Sequence, residues 1–93
     1  EQRSAIIKAI LGDPDPLTRA KAAEALTGIE PETARSTLVA LTTDRDSAPR
    51  REAARVLETI DPVDVALFRR LLSDDSDWVR MYAAGGVLRA VRQ

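Results

Sequence analysis

One pattern is written three times along this chain, and it limits the possible folds more than any other feature. Arg19-x-x-Ala22-Ala23-x-x-Leu26 returns as Arg50-x-x-Ala53-Ala54-x-x-Leu57 and again as Arg80-x-x-Ala83-Ala84-x-x-Val87. An aspartate stands six residues before each arginine, at Asp13, Asp44 and Asp74. The copies are offset by 31 and then 30 residues, the period of a stacked-repeat architecture. One such unit cannot bury its apolar side alone, so the copies must stack. A stack of this kind presents a surface for holding something more readily than a pocket for chemistry.

The composition decides what the shared core is made of. Hydrophobic residues are 44% of the 93-residue chain but aromatics only 3%, so the core is built from Ala, Leu, Ile and Val. Small side chains of this kind suit helices packed closely together. The absence of Cys and His excludes structural zinc, thiol nucleophiles and imidazole bases, and no cofactor is expected. Fourteen Lys plus Arg against fifteen Asp plus Glu give a net charge of −1, spread over the copies as −1, −1 and +1, so no part is an acidic or basic arm. No apolar run approaches the roughly 18 residues of a membrane span, and no signal-peptide core follows a basic start. The chain opens at Glu1 rather than methionine, consistent with a piece of a longer protein. It is expected to be soluble and cytoplasmic.

Each copy divides into two helical stretches. The first, or A, helices read as 3–11, 32–42 and 63–72, with Ile7/Leu38/Phe68 and Ile10/Leu41/Leu71 aligned three residues apart on one face. The second, or B, helices read as 16–28, 47–59 and 77–91, with an apolar stripe at Ala22, Ala23, Leu26 and Ile29 that recurs at Ala53, Ala54, Leu57 and Ile60. Glu30-Pro31 and Asp61-Pro62 read as N-caps followed by a first-turn proline. Asp15, Asp46 and Ser76 stand before the B helices as side-chain acceptors for unpaired N–H groups. Short loops make A and B antiparallel.

These segments resemble HEAT repeats, in the short form of about 30 residues known from phycobilisome-lyase-type proteins. The residues carrying the resemblance run from Leu11 through Asp13 and Arg19 to Leu26, from Leu41 to Leu57 and from Leu71 to Val87. The Trp/Gly/Tyr and Thr-Pro-Leu-His signatures of tetratricopeptide and ankyrin arrays are missing. The resemblance implies an all-α solenoid of three antiparallel hairpins, six helices in all, with A helices convex and B helices lining a concave binding side. One HEAT-like domain over 1–93 is expected, with repeats of about 1–30, 31–61 and 62–93. Two departures stand out: Gly85-Gly86 replaces Glu24-Ala25, and the first A helix is short and polar at its start.

The pairs Asp13/Arg19, Asp44/Arg50 and Asp74/Arg80 read as a structural ladder, an arginine in the first B turn reaching an aspartate of its own or a neighbouring loop. The loops Asp13-Pro14-Asp15, Asp44-Arg45-Asp46 and Asp74-Asp75-Ser76-Asp77 lack the central glycine and distal glutamate of a calcium loop, and capping accounts for their carboxylates. Carboxylates recurring at one capping position do not make an acid–base pair. No hydroxyl has a histidine to activate it, so the chain does not read as an enzyme.

The exposed face of the B helices is where function is expected. Trp78, Met81 and Tyr82, the only residues of their kinds, lie on the third B helix, which has no acid after Asp77. One reading packs this cluster against a further repeat or another domain. The other makes Met81, Tyr82 and Arg89 a partner-binding spot rimmed by Arg51 and Arg55, since Tyr, Trp, Met and Arg favour interface centres. Trp78 aligns with Leu17 and Ala48, which places it mostly in the core. A nucleic-acid stripe of Arg51, Arg55, Arg89 and Arg92 is interrupted by Glu24, Glu52 and Glu58, against the broad positive footprint that phosphate binding requires. The expected function is therefore protein–protein interaction, as an adaptor, scaffold or docking domain. The partner is an unidentified protein or other domains of the parent chain, and self-association through the third repeat is a further possibility. A purely structural segment of a longer solenoid stands as the alternative, with a nucleic-acid module behind it.

Overall fold

Every helix after the first starts where a side chain or a proline takes over from the missing backbone partner. The computed structural model describes residues 2–92 and holds, among them, six helices and no strand: α1 (Gln2–Ile10), α2 (Pro16–Leu26), α3 (Pro31–Leu41), α4 (Ser47–Leu57), α5 (Val65–Leu71) and α6 (Asp77–Arg92). Glu1 and Gln93, the ends of the expected unit, lie outside the described residues. Asp15 accepts the Leu17 N–H and Asp46 the Ala48 N–H, both at 3.2 Å, while Ser76 Oγ accepts from Val79 at 3.4 Å. Three B helices thus begin on the same device. At their far ends Thr27 and Thr59 donate their hydroxyls to the carbonyls of Glu24 and Val56, covering acceptors that the helix leaves open.

Two expected caps differ. Asp61-Pro62 does not open the fifth helix, which starts two residues later than expected; Asp64 caps it, accepting from Leu67 N–H at 3.1 Å. The Asp61 carboxylate is instead taken by Arg89 at 2.5 Å. Glu30 precedes α3 but makes no side-chain cap. Its carboxylate turns back to α1, accepting from Ser4 Oγ at 2.6 Å and pairing with Lys8 at 2.9 Å. Ser4 foremost, then Lys8, holds the Glu30 carboxyl below its ordinary value.

The hairpins α1–α2, α3–α4 and α5–α6 stack side by side. The B helices pack on one another along the array, α2 on α4 and α4 on α6, whereas no A helix packs on another A helix to a comparable extent. The B layer is thus continuous along the array, and the A layer is not. Leu26, Leu38, Leu57, Leu67, Phe68 and Val79 are buried between the layers, with Ala23, Ala53, Ala54 and Ala83 letting helices approach. The expected apolar stripe holds in the second and third hairpins and loosens in the first, where Ile10 and Ile29 are exposed although Leu41, Leu71 and Ile60 in the same rows are buried. Gly86 carries the tightest approach. A Cβ there would lie 2.6–2.8 Å from three atoms of the Phe68 ring, so only glycine lets α6 close over the single Phe.

Candidate functional site

The aspartate–arginine sets come together as a repeated turn with one bridge. Asp13, Asp44 and Asp74 each accept, at 2.9 Å, the backbone N–H two residues on, folding the loop that leads into the B helix. The arginine six residues later then donates Nη1 to that aspartate's own carbonyl: Arg19 to Asp13 at 2.7 Å, Arg50 to Asp44 at 2.8 Å and Arg80 to Asp74 at 2.7 Å. Within each repeat the arginine therefore grips that aspartate's backbone rather than its carboxylate, and Arg80 also pairs with the Asp77 carboxylate of its own helix. Arg50 alone also reaches forward, with Nε and Nη2 each 3.1 Å from the Asp74 carboxylate and Nη2 2.7 Å from Asp75. Burial works to raise the Asp74 pKa, but the bonds from Arg50 and the Ser76 N–H prevail and hold it below 3.8, its ordinary value. Hydrogen bonding to Asp74 outweighs burial in raising that of Arg50. Among the described residues Arg19 makes no such bridge to Asp44. No group of three or more acidic side chains converges to hold a metal ion among the described residues.

On the B-helix layer, Arg55 donates Nη2 to Glu24 of α2 and to Glu52 of its own helix, both at 3.0 Å. Its pKa is raised by Glu52 and then Glu24. Arg55 is thus a strut between neighbouring hairpins. Arg89 behaves similarly, donating to the Glu58 carbonyl at 2.6 Å and to Asp61, so it closes the C-terminal end of α4. Neither guanidinium projects freely beside Met81 and Tyr82.

The aromatic cluster is arranged differently from the sequence expectation. Trp78 is 52% exposed rather than core, lying outward beside Arg51 of α4, while its counterparts Leu17 and Ala48 are half-buried. Its ring stacks on Tyr82 with centroids 6.4 Å apart and lies under the Arg51 guanidinium at 5.9 Å. Met81 beside it is 51% exposed. Tyr82 is half-buried and packs on the core. The cluster is thus an indole held from two sides with a thioether at its margin. Arg51 carries the cationic part of it; Arg55 and Arg89 do not. The Arg51–Trp78 contact was hidden in the sequence because the two residues lie in different repeats, but their offset of 27 fits adjacent stacked helices.

The surface around the cluster is open, with no enclosed pocket among the described residues. No helix of the structure is long and apolar enough to cross a membrane. The family of HEAT repeats matches residues 4–89, almost the whole chain, at the level of HEAT repeats at large and not of the phycobilisome-lyase subtype. No curated protein and no solved structure matches the chain significantly.

Proposed function

Because the chain belongs to the HEAT-repeat family, whose members are generally interaction or scaffold modules, we propose that it docks a partner protein on its concave B face. The anchors are Trp78, Met81 and Tyr82 of α6 with Arg51 of α4, and Arg55 and Arg89 hold the helices that present them. The observation that carries this reading is the clamped but half-exposed Trp78, with Arg51 on one side and Tyr82 on the other. An indole already fixed in its bound orientation costs little further ordering when a partner covers it. Trp, Tyr, Met and Arg are also the residues on which interface energy concentrates. The mixed charge of the remaining face favours a protein over a nucleic acid, since Glu24 and Glu52 pair with Arg55 and Glu52 also with Arg51.

A photo-crosslinking residue at position 81, with one at the exposed Ala66 of the A layer as control, tests the reading in nuclease-treated lysate. The expected result is a protein adduct at 81 and not at 66, competed away by excess wild type but not by a folded Trp78→Ala, Met81→Asp variant. Identical adducts at both positions, or equal competition by the variant, would exclude this face as the docking surface. An interaction that survives Trp78→Ala but collapses steeply with salt would point instead to nucleic acid.

A further inference from the structure

Equivalent residues of the three hairpins can be compared in exposure, and the comparison isolates the two outer faces of the stack. On the side of each B helix turned to the following hairpin, Ala23 of α2 and Ala54 of α4 are fully buried, but their counterpart Ala84 of α6 is partly open. Leu26 and Leu57 are buried in the next row, and Val87 is only half-buried. Where Glu58 and Asp61 engage α6, the third hairpin has Leu88 and Val91, 55% and 77% exposed. The α6 edge is therefore the surface with which α4 receives a B helix, made more apolar and left uncovered among the described residues.

The opposite end carries the complementary half. In the row of Val56 and Gly86, the latter closed over Phe68 of its own hairpin, both are buried, but their counterpart Ala25 of α2 is exposed. Ile6 and Ile10 of α1 are exposed where Leu67 and Leu71 of α5 are buried. One molecule thus holds both sides of the same contact, at opposite ends.

We propose that a second copy of this chain stacks head to tail, its α1–α2 face seated on α6, repeating the contact that α4 makes with α6. The occupant follows from continuity with the internal interface and from the fit of its transferred register. The Asp61–Arg89 contact maps onto Val91 against Gly28 of the second copy, a large residue over a small one. Glu24, which the same register brings near Leu88, is drawn forward by Arg55. The Arg50–Asp74 bridge maps onto Arg80 against the Asp13 loop of the second copy. Arg80 pairs with Asp77 of its own helix yet stays 41% exposed, whereas Arg50, bridged to the next hairpin, is 11% exposed. A contact between unlike faces does not close at two copies, so association continues into chains. The same register maps the Arg51–Trp78 contact onto Met81 against Leu17 of the second copy, so the stack covers Met81 but leaves Trp78, which meets Arg51 of α4, outside it.

Sedimentation over a concentration series tests the proposal with wild type, a tail-blocked Leu88→Glu, Val91→Glu variant and a head-blocked Ile6→Glu, Ala25→Glu variant, all at exposed positions. Wild type should grow beyond two copies with concentration. Each variant alone should lose roughly tenfold or more in self-affinity. Mixed, they should form a complex of two copies and stop there, because one open tail meets one open head. Wild type that stays monomeric at millimolar concentration overturns the proposal and leaves both faces to hairpins of other sequence. A head-blocked variant that still dimerises makes the contact tail-to-tail, and failure of the two variants to pair equally overturns it.

Discussion

Replacing Arg50 by alanine separates the structural ladder into its two kinds of bond. The Arg50 guanidinium makes five hydrogen bonds: two to the carbonyls of Asp44 and Arg45, two to the Asp74 carboxylate and one to Asp75. Asp75 is 91% exposed, so its share is small. The Asp74 pair is largely withdrawn from water, and cutting one side leaves a carboxylate without its partner; such losses run to about 3–5 kcal/mol when burial is complete. With partial exposure and the two carbonyl bonds included, Arg50→Ala is expected to cost about 3 kcal/mol. Arg19 has only the two carbonyl bonds, to Asp13 and Pro14, and Arg19→Ala should cost about 1 kcal/mol. For a domain of this size the difference is roughly 10 °C in Tm.

Urea unfolding followed by far-UV circular dichroism and by Trp78 emission measures both variants. Because Arg50 links the second hairpin to the third, Arg50→Ala should also let the Trp78 transition run ahead of the helical one, as a weakened junction does in a repeat stack. The pH dependence gives a second reading. Asp74 has a folded pKa below its ordinary 3.8, so its contribution is complete above that value and is lost as pH falls through the folded one. The stability gap between wild type and Arg50→Ala should therefore narrow below about pH 3.8. A cost no greater than that of Arg19→Ala, or a gap unchanged down to strong acid, refutes the bridge as the source of the coupling.

Three other perturbations follow from the geometry. Gly86→Ala should destabilise by about 1–2 kcal/mol, since overpacking against the Phe68 ring outweighs the usual helical gain, whereas Gly85→Ala meets only the movable Glu58 carboxylate and should be neutral or stabilising by up to about 1 kcal/mol; urea midpoints decide both. Arg51→Ala should increase quenching of Trp78 emission by acrylamide while changing stability by less than about 1 kcal/mol, and unchanged quenching would mean that the guanidinium does not cover the ring. Glu30→Gln should speed hydrogen exchange in α1 and leave α6 unaffected, and wild-type α1 should lose protection as pH falls below 4.5, because the Glu30 pKa is lowered by Ser4 and Lys8.

Position within the repeat predicted most of what a residue does between hairpins and much less at their ends. The helices, their antiparallel pairing and the caps at Asp15 and Asp46 were readable because each is local and recurs. Asp61 misled because an acid before proline is a good cap only when the next turn is helical. Here Asp64 lies within reach of a free N–H, and Arg89, distant in sequence, claims the Asp61 carboxylate. Trp78 misled for the opposite reason: Leu17 and Ala48 align with it, but the indole is too large for the half-buried place they fill and lies outward under Arg51.

One signal in the sequence did carry three-dimensional information that alignment within single rows hides. The A-helix position holds side chains of equal size in Ile7 and Leu38 and enlarges at Phe68, and the B-helix position Ala25, Val56 and Gly86 ends on the smallest residue opposite that Phe. A glycine in the middle of a helix costs about 1 kcal/mol of propensity relative to alanine unless something needs the space. Phe68, fully buried and in the A helix of the same hairpin, is what needs it. Reading two rows together thus identifies the third hairpin as one whose interior was refitted around an aromatic residue. The refitted helix is also the one that turns Trp78, Met81, Leu88 and Val91 outward. A hairpin that merely repeated its neighbours would need neither change, so the departures from the repeat, rather than the repeat itself, are where both proposed contact surfaces draw their residues.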